Sequence, residues 1–332
     1  MRGFGRGMLA ILALIMVSAL VAQAPAPSQN ATSPALEQSS KRPSPAQTQP
    51  RIRVEVDIVL VNVTVTDPYN RLVTGLESGH FEVYEDKEPQ EILYFSSEDV
   101  PISLGVIFDV SGSMGSAGKL ERARQAAVQF FKTANPSDES FVVTFSNDPH
   151  LLVDFTSSVE EIQNRLVYGR AGGRTALLDG LYLGLSHMRQ ANNPRKALLL
   201  ISDGGDNNSR YNIKDIKAHV READVQIYAV GIFDPIGSRH DPELIWGPTL
   251  LSEIAEMTGG RMFPVELQNI EDLPDIASKI SVELRNQYVI GYRPTNRKRD
   301  GTWRKIRVKL KPPKGLPPLS IYARSGYYAP LQ

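Results

Sequence analysis

Ile102-Ser103-Leu104-Gly105-Val106-Ile107-Phe108-Asp109-Val110, followed by Ser111-Gly112-Ser113-Met114, is the stretch on which the fold turns. Its apolar run is almost unbroken, as expected of a strand covered on both faces. Helical spacing follows at once, with Leu120, Ala123, Ala127, Phe130 and Phe131 recurring through Lys119 to Thr133. Further strands are predicted at Phe141–Phe145, Ala197–Ile201, Val225–Phe233 and Met262–Val265, with Leu151–Phe155 as a hairpin partner. Helices are predicted at Ile162–Val167, Leu177–Met188, Ile213–Ala223, Leu250–Met257 and Ile270–Leu284. The fourth of these stops at Gly259-Gly260, a helix-ending signal. Strands alternating with helices imply an α/β class over residues 100–284: a doubly wound, mostly parallel sheet with helices on both faces.

Both flanks of this block are β-type. In 51–99, Ile52, Val54, Val56 and Ile58 alternate with charges; then the phase slips and Val59, Val61, Val63 and Val65 become the apolar set. The slip predicts a bulge or a strand crossing between sheets. Asp67-Pro68-Tyr69-Asn70 reads as a turn. In 285–332, strands are expected at Tyr288–Tyr292, Trp303–Leu310 and Leu319–Ala323. Residues 51–99 hold 4 basic and 11 acidic groups, whereas 285–332 hold 12 basic and 1 acidic. Opposite charge favours cross-strand pairing. The two flanks are therefore expected to build one β-sandwich, 51–99 as its first part and 285–332 as its second, with the α/β domain inserted.

Upstream, residues 1–24 read as a signal peptide. Arg2 and Arg6 precede an uncharged apolar run, Met8–Ala22, and Ala22-Gln23-Ala24 offers a cleavage site. Pro25 opposes cleavage, so an uncleaved anchor is the alternative; either way the body is expected outside the cytoplasm, periplasmic or secreted. Residues 25–50 are rich in Pro, Ser and Gln and read as a disordered linker. The chain of 332 residues has no cysteine, which excludes disulfides, thiolate metal sites and a cysteine nucleophile. Lys+Arg and Asp+Glu are both 37, which argues against a globally basic nucleic-acid binder.

Three loops gather polar groups. The first is Asp109-Val110-Ser111-Gly112-Ser113, at a strand's C-terminal end, where doubly wound sheets place ligands. The second is Gly172-Gly173-Arg174-Thr175, and the third is Ser202-Asp203-Gly204-Gly205-Asp206 at another strand end. Together they offer Asp109, Asp203, Ser111, Ser113 and Thr175, all hard oxygen donors. Such a set suits Mg²⁺, with Mn²⁺ or Ca²⁺ as substitutes, and the lack of His or Cys argues against zinc. Few carboxylates would leave the ion net positive and open to an outside carboxylate. Taken singly, Ser111 and Ser113 could form a polar turn capping the following helix, Thr175 could cap a helix, and Asp203 could form an Asx-turn. All of these at strand ends of one sheet is a less economical reading.

These residues resemble the metal-ion-dependent adhesion site of von Willebrand factor A domains. The pattern there is D-x-S-x-S, then Thr, then Asp, and all five positions are filled here. The resemblance spans about residues 100–284, and the late Thr258-Gly259-Gly260-Arg261 resembles bacterial members. The export signal, the flanking β segments and Tyr288-Val289-Ile290-Gly291-Tyr292-Arg293-Pro294 resemble the exported acidobacterial group. By this resemblance, Ser111, Ser113 and Thr175 would bind the ion directly, and Asp109 and Asp203 directly or through water. It implies a protein ligand presenting an Asp or Glu carboxylate, and a last helix, Ile270–Leu284, that shifts as the site rearranges.

Enzyme readings come close and fail. Gly118-Lys119 would need Gly at position 113 and Ser or Thr at 120 for a phosphate loop, but these are Ser and Leu. A nucleophile elbow at Ser113 would need Gly at 111, which is Ser. An aspartyl-phosphate at Asp109 lacks its supporting groups. His80, His150, His187, His219 and His240 sit in no metal-ligand spacing. The basic run from Arg297 to Lys314 reads as a solvated strand face, and membrane contact is expected only through the N-terminal segment if uncleaved. The sequence thus predicts a non-enzymatic, exported, Mg²⁺-dependent binding module. The alternative is an envelope scaffold in which the metal is purely structural. The oligomeric state is open.

Overall fold

The computed structural model describes residues 58–234 and 242–331. The predicted signal segment, the linker, residues 51–57, His240 and most of the 234–246 loop lie outside them.

The α/β domain has strands β5 (Ile102–Asp109), β6 (Glu139–Phe145), β7 (Pro149–Thr156), β8 (Arg195–Ser202), β9 (Gln226–Phe233) and β10 (Met262–Glu266). Its helices are α1 (Lys119–Lys132), α2 (Val159–Leu166), α3 (Leu177–Met188), α4 (Ile213–Glu222), α5 (Pro242–Met257) and α6 (Leu273–Arg285). The sheet runs β10-β9-β8-β5-β6-β7. Every pair is parallel except the β6–β7 hairpin. All eight residues of β5 are buried, because the strand is sandwiched between two helix layers. Leu104, Val106 and Phe108 face a core shared with α1, α2 and α6, through Phe130, Ile162 and Ile280 among others. Ile107 faces the other core, with Leu181 of α3, Ile216 of α4 and Ile254 of α5. The predicted α/β class and doubly wound sheet are therefore what the chain adopts.

Three helix starts differ from the sequence reading: α2 begins at Val159 rather than Ile162, because Ser158 caps it by accepting the Glu161 N–H. Helix α5 begins at Pro242 rather than Leu250. Proline suits a first helical position, while Gly247 and Pro248 break the apolar spacing that would have revealed the earlier turns. The stretch predicted to start a helix at Ile270 first makes a tight 3₁₀ segment over Leu267–Asp272. Helix α6 starts only at Leu273, with Pro274 in its first turn.

The flanks form β1 (Val59–Thr66), β2 (Phe81–Glu85), β3 (Glu88–Gln90), β4 (Ile92–Ser96), β11 (Tyr288–Tyr292), β12 (Trp303–Leu310), β13 (Ser320–Ala323) and β14 (Gly326–Tyr328). They make two four-stranded sheets, β13-β1-β11-β4 and β14-β12-β2-β3, each drawing on both ends of the chain. One core joins them: Val61, Val63, Val65, Tyr288 and Ile290 meet Phe81, Val83 and Ile306. Opposite charges meet across β2 and β12, where Lys309 lies opposite Glu82 and Lys311 pairs with the same carboxylate. The bulge or crossing between sheets predicted from the phase slip falls partly on 52–57, outside the described residues; from Val59↔Tyr292 to Val63↔Tyr288 the register of β1 with β11 is regular. An irregularity lies between β11 and β4, at Gly291/Tyr292.

A buried polar network fastens the sandwich to the α/β domain. Arg261 donates to Glu283 of α6 at 2.9 Å and to Asn70 of the β1–β2 connection at 2.8 Å. Tyr228 of β9 also donates to Glu283, at 2.9 Å. Gln287, just past α6, donates to Thr64 of β1 at 3.0 Å and to Gln226 of β9 at 2.9 Å. Burial of polar groups is costly unless they are paired, so these partners hold the two parts in one arrangement.

Candidate metal centre

Strand β5 lies where the sheet order reverses. The chain passes from it to β6 and β7 on one side and later to β8, β9 and β10 on the other. Ligand sites of open α/β sheets form at this point, beyond the strands' C-terminal ends. Asp109 is the last residue of β5 and Ser202 the last of the adjacent β8. Asp109 is fully buried. One of its oxygens accepts the Ser111 N–H at 2.8 Å, and the other accepts the Ser202 hydroxyl at 2.6 Å. The turn that follows brings the Ser111 and Ser113 hydroxyl oxygens to 3.0 Å of one another. Buried Met114 anchors that turn in the core.

The second loop lies against the first. Gly172 N–H donates to Val110 carbonyl at 2.9 Å, and Gly112 N–H to Gly173 carbonyl at 3.1 Å. Thr175 is held by the third loop: its N–H donates to Asn207 Oδ1 at 2.9 Å, and its carbonyl accepts from the Asn207 and Asn208 N–H groups. Gly173 has φ +82°, and a Cβ there would sit 2.8 Å from Asn147 Oδ1. That oxygen accepts the Arg174 N–H at 2.8 Å. Gly173→Ala is therefore expected to destabilise the chain by about 1–3 kcal/mol and to misplace Thr175. Thermal unfolding with and without Mg²⁺ checks both effects, and an unchanged metal response would contradict the second.

Asp203 is 2 % exposed, and its Oδ1 has no hydrogen-bond partner among the described residues. Its Oδ2 lies 3.4 Å from the ammonium of Lys119, itself only 5 % exposed. Next to it, the Gly204 N–H donates to the Ser202 hydroxyl at 3.0 Å, linking this loop to Asp109. Neither Ser111 nor Ser113 caps α1, whose N-cap is Gly118, and Ser111, at the N-cap of a 3₁₀ turn over Gly112–Gly115, makes no side-chain capping bond there. Thr175 caps none either, since Ala176 precedes α3.

The structure thus brings the three predicted loops to one end of one sheet. Sequence reasoning missed Lys119, Ser202 and Asn207. In the sequence Lys119 stands out only through the incomplete phosphate-loop pattern; a lone lysine opening a helix beside a buried strand end is the available signal. Ser202 stood in the quoted third loop, as the hydroxyl just before its aspartate. Nothing in the sequence marks Asn207 as the partner of Thr175.

The electrostatics fit a cation. Burial, and then the charge of Asp203, push the Asp109 carboxyl up to about 6; the Ser111 and Ser202 hydroxyls partly offset this. A buried carboxylate oxygen without a partner is costly, and a metal ion would supply one. Two carboxylates face one ammonium here, so a divalent ion would turn the local charge from negative to positive. Among the described residues no three His, Cys, Asp or Glu side chains cluster as a metal site. Serine and threonine hydroxyls would therefore have to complete the donor set, in keeping with the oxygen preference of Mg²⁺.

The family model described as von Willebrand factor type A domain matches residues 104–205, the span that holds all three loops. Residues 104–205 are therefore similar to a von Willebrand factor type A domain, and the α/β sheet around them is of that kind. A curated protein of Borreliella burgdorferi, described only as uncharacterized, is 22% identical over 214 residues, covering 55% of this chain. The chain spans about 61% of that relative's length. Solved structures similar to the chain include a von Willebrand factor type A protein from Catenulispora acidiphila, 13% identical over 81% of this chain and 74% of that one, TM-score 0.49. The von Willebrand factor domain of the type V pili tip protein Mfa5 from Porphyromonas gingivalis is 14% identical, covering 56% of this chain and 97% of its own, TM-score 0.45. The conserved hypothetical protein BatB from Bacteroides thetaiotaomicron is 19% identical, covering 55% and 98%, TM-score 0.43. The chain passes from α6, the last helix of the α/β domain, into β11 of the sandwich across only Asn286 and Gln287.

Proposed function

We propose that the chain is an exported, non-enzymatic protein-binding module whose binding depends on Mg²⁺ held by an intact metal-ion-dependent adhesion site. The observation that carries this reading is the partnerless, buried Oδ1 of Asp203 beside Asp109 and the Ser111–Ser113 hydroxyl pair. Ser111, Ser113 and Thr175 would hold the ion, with Asp109 and Asp203 bound to it directly or through water. When bound, the ion would offer a remaining coordination position to an Asp or Glu carboxylate of a protein partner. Ser202 and the Ser111 N–H orient Asp109. Asn207 fixes the Thr175 backbone. Lys119 compensates Asp203 and keeps the site's own negative charge low, which leaves attraction for an incoming carboxylate once a divalent ion is present.

Calorimetric titration of Mg²⁺ into the chain, beside Asp109→Ala and Ser111→Ala/Ser113→Ala, tests the metal. Saturable binding is expected in the wild type, with a loss of at least about 100-fold in both variants. Absence of binding at millimolar Mg²⁺ and Mn²⁺ would move the scaffold reading to first place. Partner capture with and without chelator then tests the adhesion step, because a scaffold contact would survive metal removal.

A further inference from the structure

The loop from β11 to β12 carries Arg293, Arg297, Lys298 and Arg299, which line a recess of about 120 Å³ beside Tyr327. No Asp or Glu lines it among the described residues. Several other cations of the basic C-terminal segment are matched. Lys311 pairs with Glu82, Arg324 with Asp224, Arg304 with Asp300, and Arg285 with Asp99 and Asp138. No ion pair engages Arg293, Arg297 or Lys298 among the described residues.

The loop is held in place. Thr295 and Gln90 exchange two hydrogen bonds, each of 3.0 Å. The Lys298 N–H donates to Asn296 Oδ1 at 3.3 Å. Arg304, 2 % exposed, reaches under the loop and donates to the Lys298 carbonyl and to Asp300, both at 3.1 Å. The Thr302 N–H closes on Asp300 at 3.0 Å. A buried arginine thus shapes the loop and takes up its one carboxylate, Asp300, leaving Arg293, Arg297 and Lys298 as neighbouring cations on it. Cations gathered on a fixed loop repel one another, and they cannot separate without breaking these bonds. An anion relieves that repulsion and meets donors already in position.

We propose that this recess is an oxyanion site that takes a single phosphate group, gripped by Arg293, Arg297 and Lys298. The arginines supply planar forks matched to phosphate oxygens, and Lys298 adds a point charge. The recess is well below the ~300 Å³ at which pockets enclose drug-sized ligands, so one tetrahedral group fits better than a nucleotide. Free phosphate and a phospholipid headgroup offer the same chemistry. The site lies on the sandwich and is independent of the metal centre.

The test is calorimetry on the full chain at low ionic strength without Mg²⁺. One arm uses inorganic phosphate, and the other monomeric dihexanoylphosphatidylglycerol. Saturable binding is expected in at least one arm, weakened about tenfold or more by Arg297→Ala/Lys298→Ala and further by Arg297→Glu. Response to phosphate alone assigns a free phosphate ion, and response to the lipid assigns a headgroup. Arg297 and Lys298 are exposed, so circular dichroism of the variants should match the wild type. No saturable binding in either arm overturns the proposal, as does binding that both variants leave unchanged.

Discussion

Replacing Arg261 by methionine is expected to lower the unfolding free energy by about 3–5 kcal/mol. Arg261 is 9 % exposed and pairs with Glu283, which is 4 % exposed. Burial raises the Glu283 carboxyl above its ordinary range, and the Arg261 charge is the main force holding it down. Without that charge a buried carboxylate is left with only the neutral hydroxyls of Tyr228 and Thr64. The loss also frees Asn70 and uncovers Tyr322, whose ring centroid lies 4.4 Å from the guanidinium. Urea unfolding followed by circular dichroism measures the cost. Arg261→Met/Glu283→Gln should recover most of it, because no unpaired charge then remains. A single-variant cost below about 1 kcal/mol would mean that the network does not join the two parts.

The second large effect concerns pH in the metal-free protein. Asp109 titrates at about 6 in the folded chain, against roughly 3.9 when unfolded. Between those values the folded state holds the extra proton. Stability therefore falls as pH rises from about 4 to about 6, by about 3 kcal/mol in total, and is level above that. Asp109→Asn should remove this slope. Saturating Mg²⁺ should instead stabilise the wild type above pH ~6 and leave the Asn variant unmoved. Unfolding curves at several pH values, with chelator and with Mg²⁺, decide the matter. A metal-free wild type without the slope would show that Asp109 is solvated better than its burial implies.

The fold class was legible because β5, β8 and β9 are apolar almost throughout, which marks strands covered on both faces. Helix ends were less so. Gly247 and Pro248 hid the first turns of α5, and Pro274 delayed α6, since local backbone chemistry overrides apolar spacing. β14 went unnoticed, being three residues long and set by its pairing with β12. At the candidate centre, the residues named from sequence were those with oxygen donors at strand ends. Lys119, Ser202 and Asn207 escaped because their roles depend on neighbours distant in the chain: Lys119 meets Asp203, and Ser202 meets Asp109. Such contacts exist only once the strands have taken their order.

Strand β1 lies between β11 and β13, and β2 lies between β12 and β3. Three of these neighbours come from beyond residue 285. During synthesis, then, β1 has neither of its sheet neighbours until nearly the whole chain has emerged. The inserted domain contains all of its own strands and can fold while the first ones wait. A nascent chain stalled before β11 would carry a finished α/β domain and an unpaired, valine-rich strand, a template for aggregation. Chaperone demand should therefore centre on β1, and be relieved only when the last forty or so residues arrive.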